Sequence, residues 1–174
     1  QTLEQNTTAS YNTAFGYQSL ESNTTGSYNV AVGSLALDSN TTAEYNVAVG
    51  YAAMDANTTG TRNTAVGAFA LDANTTANDS TAVGYQALTN LNAGNSNTAV
   101  GSNALQECTA SDNTAVGMHA LKQTTSGGYN TAMGRRSLEV NTTGQYNTAV
   151  GGLALDSNTT ADNNTAIGYN SLSA

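Results

Sequence analysis

One short phrase returns ten times along this chain. Aligned on the glycine of Asn-Thr-Ala-Val-Gly, the copies place Gly16, Gly33, Gly50, Gly67, Gly84, Gly101, Gly117, Gly134, Gly151 and Gly168 at steps of 17 residues, with a single step of 16 between Gly101 and Gly117. A fixed short period marks stacked units that cannot bury a core alone, and it outranks every other signal in the chain. A 17-residue unit is too short for the helix pairs of ankyrin or tetratricopeptide arrays. Thr, Asn, Val and Gly disfavour helix, while Val and Thr suit strands. The period therefore predicts an all-β parallel β-solenoid, or β-roll, of about ten 17-residue coils. At roughly 4.7 to 4.8 Å between neighbouring strands, the rod is about 45 to 50 Å long.

Composition agrees with a thin rod. Ala is the largest single part of the 39% apolar content, with about one Val and one Leu per repeat, which suits a narrow interior. The net charge of -8 excludes a nucleic-acid partner, since phosphates call for clustered cations and only Arg62, Lys122, Arg135 and Arg136 are basic. No apolar run approaches a membrane span, so no membrane insertion is expected of this segment. Residues 1–174 read as one repeat domain that starts and stops in mid-array. The expectation is a fragment, or a stacking unit, of a longer array.

Within each coil the alternation places Thr13, Val30, Val47 and Thr64 with Phe15, Val32, Val49 and Val66 on one strand face, and Asn12, Ala14 and Gly16 with their equivalents on the other. The alanine never varies, which predicts a site too tight for another methyl group. The glycine predicts a bend or a close backbone approach. A second short strand is expected in "YQAL" or "SLAL", ending in the Leu that supplies most of the core bulk. "DSNTTAEY" then makes the turn, with Ala9, Gly26, Ala43, Gly60, Ala77, Gly144 or Ala161 at its tip. Acidic residues gather in this turn, whereas no copy of the five-residue phrase carries a charge. One uncharged strand face packs into its own coil; the other needs a cover, and a second copy of the chain supplies it under cyclic symmetry. A homotrimer is the expected assembly.

The phrases "YNTAFG", "YNVAVG", "DNTAVG" and "NNTAIG" resemble the head repeats of YadA-like trimeric autotransporter adhesins. "NTAVGYQAL" followed by "NTTG" is similar to repeats of phage tail fibres and of bacterial surface proteins that end in a self-cleaving chaperone. The resemblance spans the whole chain. It implies a left-handed parallel β-roll, three chains side by side, and an extracellular structural role on a cell surface or virion as adhesin head or fibre shaft; Tyr residues beside Asn and Asp would separately suit a host-surface glycan or protein as a further partner.

Candidate sites follow from the registers. The row Asn12, Asn29, Asn46, Asn63, Asn97, Asn113, Asn130, Asn147 and Asn164 predicts a structural ladder of stacked amides. The "NTT" turns fit the N-glycosylation rule at Asn23, Asn40, Asn57, Asn74, Asn141 and Asn158. Asp38, Asp55, Asp72 and Asp156, each two residues before an Asn, are weak calcium candidates; a solvated acidic edge is the simpler reading, and no other cofactor is expected. Tyr17, Tyr51, Tyr85 and Tyr169 are candidate surface contacts. Ranked Thr residues (Thr13, Thr7, Thr8 and their equivalents) open an alternative, a monomeric solenoid that binds ice or another flat surface. No Thr-x-Thr pair recurs from coil to coil, which weighs against it. The lone His119 and lone Cys108 fall in different coils, and no nucleophile with a base emerges, so an enzyme is not expected.

Overall fold

The computed structural model describes residues 2–173. Gln1 and Ala174, the ends of the expected repeat domain, lie outside the described residues. Each copy of the phrase forms one three-residue strand: β1 (Thr13–Phe15), β2 (Val30–Val32), β3 (Val47–Val49), β4 (Thr64–Val66) and β5 (Thr81–Val83). The series continues with β6 (Thr98–Val100), β7 (Thr114–Val116), β8 (Thr131–Met133), β9 (Thr148–Val150) and β10 (Thr165–Ile167). They join in chain order into one ten-stranded parallel sheet. The expected parallel β-solenoid is the observed fold, without helix among the described residues.

Register is kept throughout. Ala31 pairs with Ala48 between Val30↔Val47 and Val32↔Val49, and every other strand pair matches like position to like position. The 16-residue step changes nothing here, because Thr98 still pairs with Thr114 and Ala99 with Ala115. Its lost residue comes from the turn. Pairing like with like in every rung is what a repeat of constant length imposes, since a one-residue slip would turn each Ala outward.

Packing decides which strand face is inside. The central Ala of β2 to β9 is fully buried, and the Thr or Val on either side of it is only half-buried or exposed. Opposite this alanine wall stand Leu20, Leu37, Met54, Leu71, Leu88, Leu105, Leu121 and Leu138, all fully buried. Each such side chain contributes roughly 1.5 to 3 kcal/mol by leaving water. A small residue on one wall makes space for the large one on the other, so the invariant Ala and the near-invariant Leu are a single packing solution.

The second strand does not form. "YQAL" and its equivalents are turns, and two of their four residues have a left-handed backbone: Gln86 at φ 53° and Leu88 at φ 53°, or Leu35 at 62° and Leu37 at 53°. A third left-handed residue precedes the strand-side Asn, as at Tyr28 (φ 62°) and Arg62 (φ 59°). No Val, Ile or Thr occupies any of these three registers in any copy, in line with the steric cost of β-branching at positive φ. Between strand and turn the glycine has φ near 137°, and a Cβ on Gly84 would meet the carbonyl oxygen of Gly101 at 2.6 Å. That glycine is required twice over, by its conformation and by the coil above it. The expected turn tips also differ from expectation: Ala43 and Ala77 are buried, because the chain folds its tip carbonyls inward as hydrogen-bond acceptors.

Candidate functional site

Two rows of amides, one continuous along the rod and one interrupted at Leu91, Cys108 and Thr124, hold the sheet and the turns in place. On the strand side, Asn29 Oδ1 accepts from the backbone N–H of Asn46 at 3.0 Å while its Nδ2 donates to Ala43 O at 2.8 Å, both in the next coil. Asn46 repeats this with Asn63 N (2.9 Å) and Gly60 O (2.8 Å), and Asn130 with Asn147 N (2.9 Å) and Gly144 O (2.8 Å). Asn12, Asn63, Asn97, Asn113 and Asn147 each span coils in the same way, and Asn164 N closes the row on Asn147 Oδ1. The expected Asn ladder is present, with backbone groups as its main partners. Ser80 is its one substitution; Asn97 N reaches Ser80 Oγ at 3.3 Å.

A second ladder lies on the turn side, in the residues first read as glycosylation sequons. Asn40 Nδ2 donates to Asn23 Oδ1 (2.8 Å), Asn57 to Asn40 (3.1 Å), Asn74 to Asn57 (2.9 Å) and Asn158 to Asn141 (3.0 Å). The same nitrogens also donate to the tip carbonyl three residues on, as Asn57 does to Gly60 O at 3.0 Å. Asn23, Asn40, Asn57, Asn74 and Asn141 are fully buried, and Asn158 is half-buried. A glycan on Nδ2 would have to displace these bonds and the coil above. The sequence carried a clue to this ladder, an Asn three residues after Leu20, Leu37, Met54, Leu71, Leu138 and Leu155, which the sequon pattern masked.

The outer sheet face is uncovered. Among the described residues, every exposed large apolar side chain except Leu172 falls within the seven residues from the Tyr28 register to the residue after the glycine. Phe15, Val66, Val100, Met133 and Ile167 come from the third strand position. Tyr11, Tyr28, Tyr45, Tyr129 and Tyr146 flank the strand on one side, and Tyr17, Tyr51, Tyr85, Met118 and Tyr169 on the other. Tyr11, Tyr28 and Tyr45 form a continuous stack with ring centres 5.0 Å apart, and Tyr129 stacks on Tyr146 at 5.1 Å. The other flank is clamped by Phe69, edge-on between Tyr51 (5.2 Å) and Tyr85 (6.2 Å). The candidate contacts Tyr17, Tyr51, Tyr85 and Tyr169 are thus the border of a longer apolar strip, 50 to 79% exposed. Four charges break the strip: Arg62, Asp79, Asp112 and Arg135, of which Arg62 and Asp79 pair through two bonds of 2.6 and 2.9 Å.

Charge elsewhere is arranged by register. Glu21, Asp38, Asp55 and Asp72 follow one another along the rod, and burial raises the carboxyl pKa of Asp38, Asp55 and Asp72. Like-charged neighbours add to it, Asp55 and Glu21 acting on Asp38, and Asp72 on Asp55. One oxygen of Glu21 and one of Asp38 are buried without a hydrogen bond. The acidic edge is therefore half-buried, where full solvation was expected. Asp156 stands apart from this row, and among the described residues no three metal-ligating side chains come together. His119 Nδ1 lies 3.2 Å from Glu139 Oε1, whose partner oxygen accepts from Arg136 Nε. Cys108 is buried in the turn-side ladder position, and burial pushes its thiol up to about 11.

Compared with family models, curated proteins and solved structures, the chain matches none.

Proposed function

We propose that this chain is a structural segment of an extracellular fibre, the shaft or head of a surface adhesin or tail fibre, in which three copies of a left-handed roll stand side by side. The observation that carries this reading is the exposed apolar strip of strand and tyrosine side chains, confined to one stretch of every coil. Monomers in water rarely leave so long an apolar patch open. With ~3.3 Å per residue and ~4.8 Å per coil, the strip measures about 900 Å² per copy, against about 800 Å² per partner in a standard stable interface. The likeness of the "YNVAVG" phrase to trimeric adhesin heads supports the number three and the surface location. Function is then geometric: each coil templates the next, and repeat number sets reach. Light scattering coupled to size-exclusion chromatography tests it. Three times the 17.7 kDa chain mass is the expected result, and a monomer overturns it.

A second reading is favoured by one observation. Eight of the ten strands begin with Thr, and each Thr points out of the sheet beside a Val, Phe, Met or Ile two residues on. A flat monomeric solenoid of this kind would order water and bind ice or a comparable surface through its Thr column. Thermal hysteresis from a monomeric species is the result that selects it.

A further inference from the structure

We propose that the rod contains a built-in hinge: its turn side opens locally between the sixth and eighth coils while the sheet behind it stays paired. The inference is independent of how many copies associate.

Three defects coincide on the turn side. In most coils the residue after the turn-side Asn sends a backbone rung to the next coil, as Thr24 N does to Thr41 O (2.9 Å), Thr58 N to Thr75 O (3.1 Å) and Thr142 N to Thr159 O (2.7 Å). In the sixth coil, next to the shortened seventh, the N–H groups of residues 92–94 make no such rung. The amide ladder stops in the same place. Asn74 turns its Oδ1 back to Ala77 N in its own coil (3.0 Å), and the next three positions are Leu91, Cys108 and Thr124 before Asn141 resumes the row. Finally, the Thr124 hydroxyl is buried without a partner. An unsatisfied buried hydroxyl disfavours the closed state relative to any state that lets water reach it.

The strand side keeps its ties across the same coils. Asn113 N donates to Asn97 Oδ1 at 3.0 Å, Asn130 N to Asn113 Oδ1 at 3.0 Å, and β6 and β7 remain in register. Asn113 Nδ2 is within reach of Cys108 Sγ (3.7 Å), Ser111 O (3.2 Å) and Gly127 O (3.0 Å), so the strand-side ladder also covers the gap beside it. The turn side keeps fewer ties, among them Asn90 N to Gln106 O (3.0 Å) and Thr109 N to Thr125 O (2.9 Å), and a structure tied more closely on one edge than on the other bends about the closely tied edge. Sub-global opening of this kind draws on the least bonded segment, and repeat arrays permit it because each coil touches only its neighbours.

Cys108 reports the motion, because its side chain is fully buried when the coil is closed. The test is thiol labelling of the full chain with a disulfide reagent over a range of sub-denaturing urea. Local opening gives labelling at least about tenfold faster than global unfolding allows, with a urea slope well below the equilibrium m-value. Labelling with the full global slope overturns the hinge. Thr124→Asn supplies the missing amide between Asn141 and Gly127 and should slow labelling about tenfold. A shallow slope that this variant leaves unslowed would overturn the link to the ladder gap. Should the variant not fold, the urea slope of the unmodified chain decides the matter alone.

Discussion

The two amide ladders stand on either side of the same row of tip carbonyls and use the same residue, yet they tolerate different changes. The strand-side row accepts one replacement, Ser80, which still offers an oxygen to the next coil's N–H. The turn-side row accepts Leu91, Cys108 and Thr124 in succession. The difference lies in who depends on the side chain. On the strand side, Asn Oδ1 is the acceptor for a buried backbone N–H, such as that of Asn63; on the turn side, amides mostly serve one another and a tip carbonyl that the strand-side Asn already satisfies. Removing a mutual pair for an apolar group of similar size is mild, whereas orphaning a backbone donor costs its full desolvation.

The comparison can be broken by experiment. Most damaging should be Gly84→Ala at the end of the strand side, where backbone strain and collision with Gly101 O together cost about 4 kcal/mol; urea unfolding that shows less than about 1 kcal/mol would mean that the coils slide apart freely. Next, Asn46→Leu should destabilise by about 3 kcal/mol and Asn57→Leu by about 1 kcal/mol, since only the first leaves a backbone N–H without an acceptor. Equal values for the two would erase the distinction between ladders.

Acid titration sharpens the turn side. Carboxyls with pKa values raised in the fold destabilise it once ionised, so stability should rise as pH falls from neutral through those raised values and level off below the unfolded value near 3.8. Asp79 works in the opposite direction, because Arg62 lowers its pKa and that contribution fades with acidification. Thermal melts across this range should show a net gain on the acid side of neutral that Asp55→Asn reduces. Smallest of all, Thr64→Val on the outer face should shift the stability of the isolated chain by less than about 0.5 kcal/mol, and any change should appear in association mass.

Much of the fold was legible because a repeat of constant length leaves few choices. The strand phrase, its two alternating side-chain sets, the buried Leu, the invariant Ala and the strand-side ladder all follow from alternation and register. The turn side was harder to read. "YQAL" has the composition of a strand, and nothing local announces that its Leu adopts a left-handed backbone; the absence of β-branched residues from that register was the available sign. The sequons hid a ladder for a similar reason: Asn-Thr-Thr suits an exposed turn, and burial depends on the coils stacked above and below.

The sequence by itself determined the period, the parallel sheet and the position of the one shortened coil, since these need only that identical units stack in register. Only the tertiary structure decided which strand face turned inward, which of two asparagine rows carried backbone N–H groups, and where the turn side was left untied. Alternation is symmetric between faces, and hydrogen bonds across coils exist only once residues 17 positions apart are brought together.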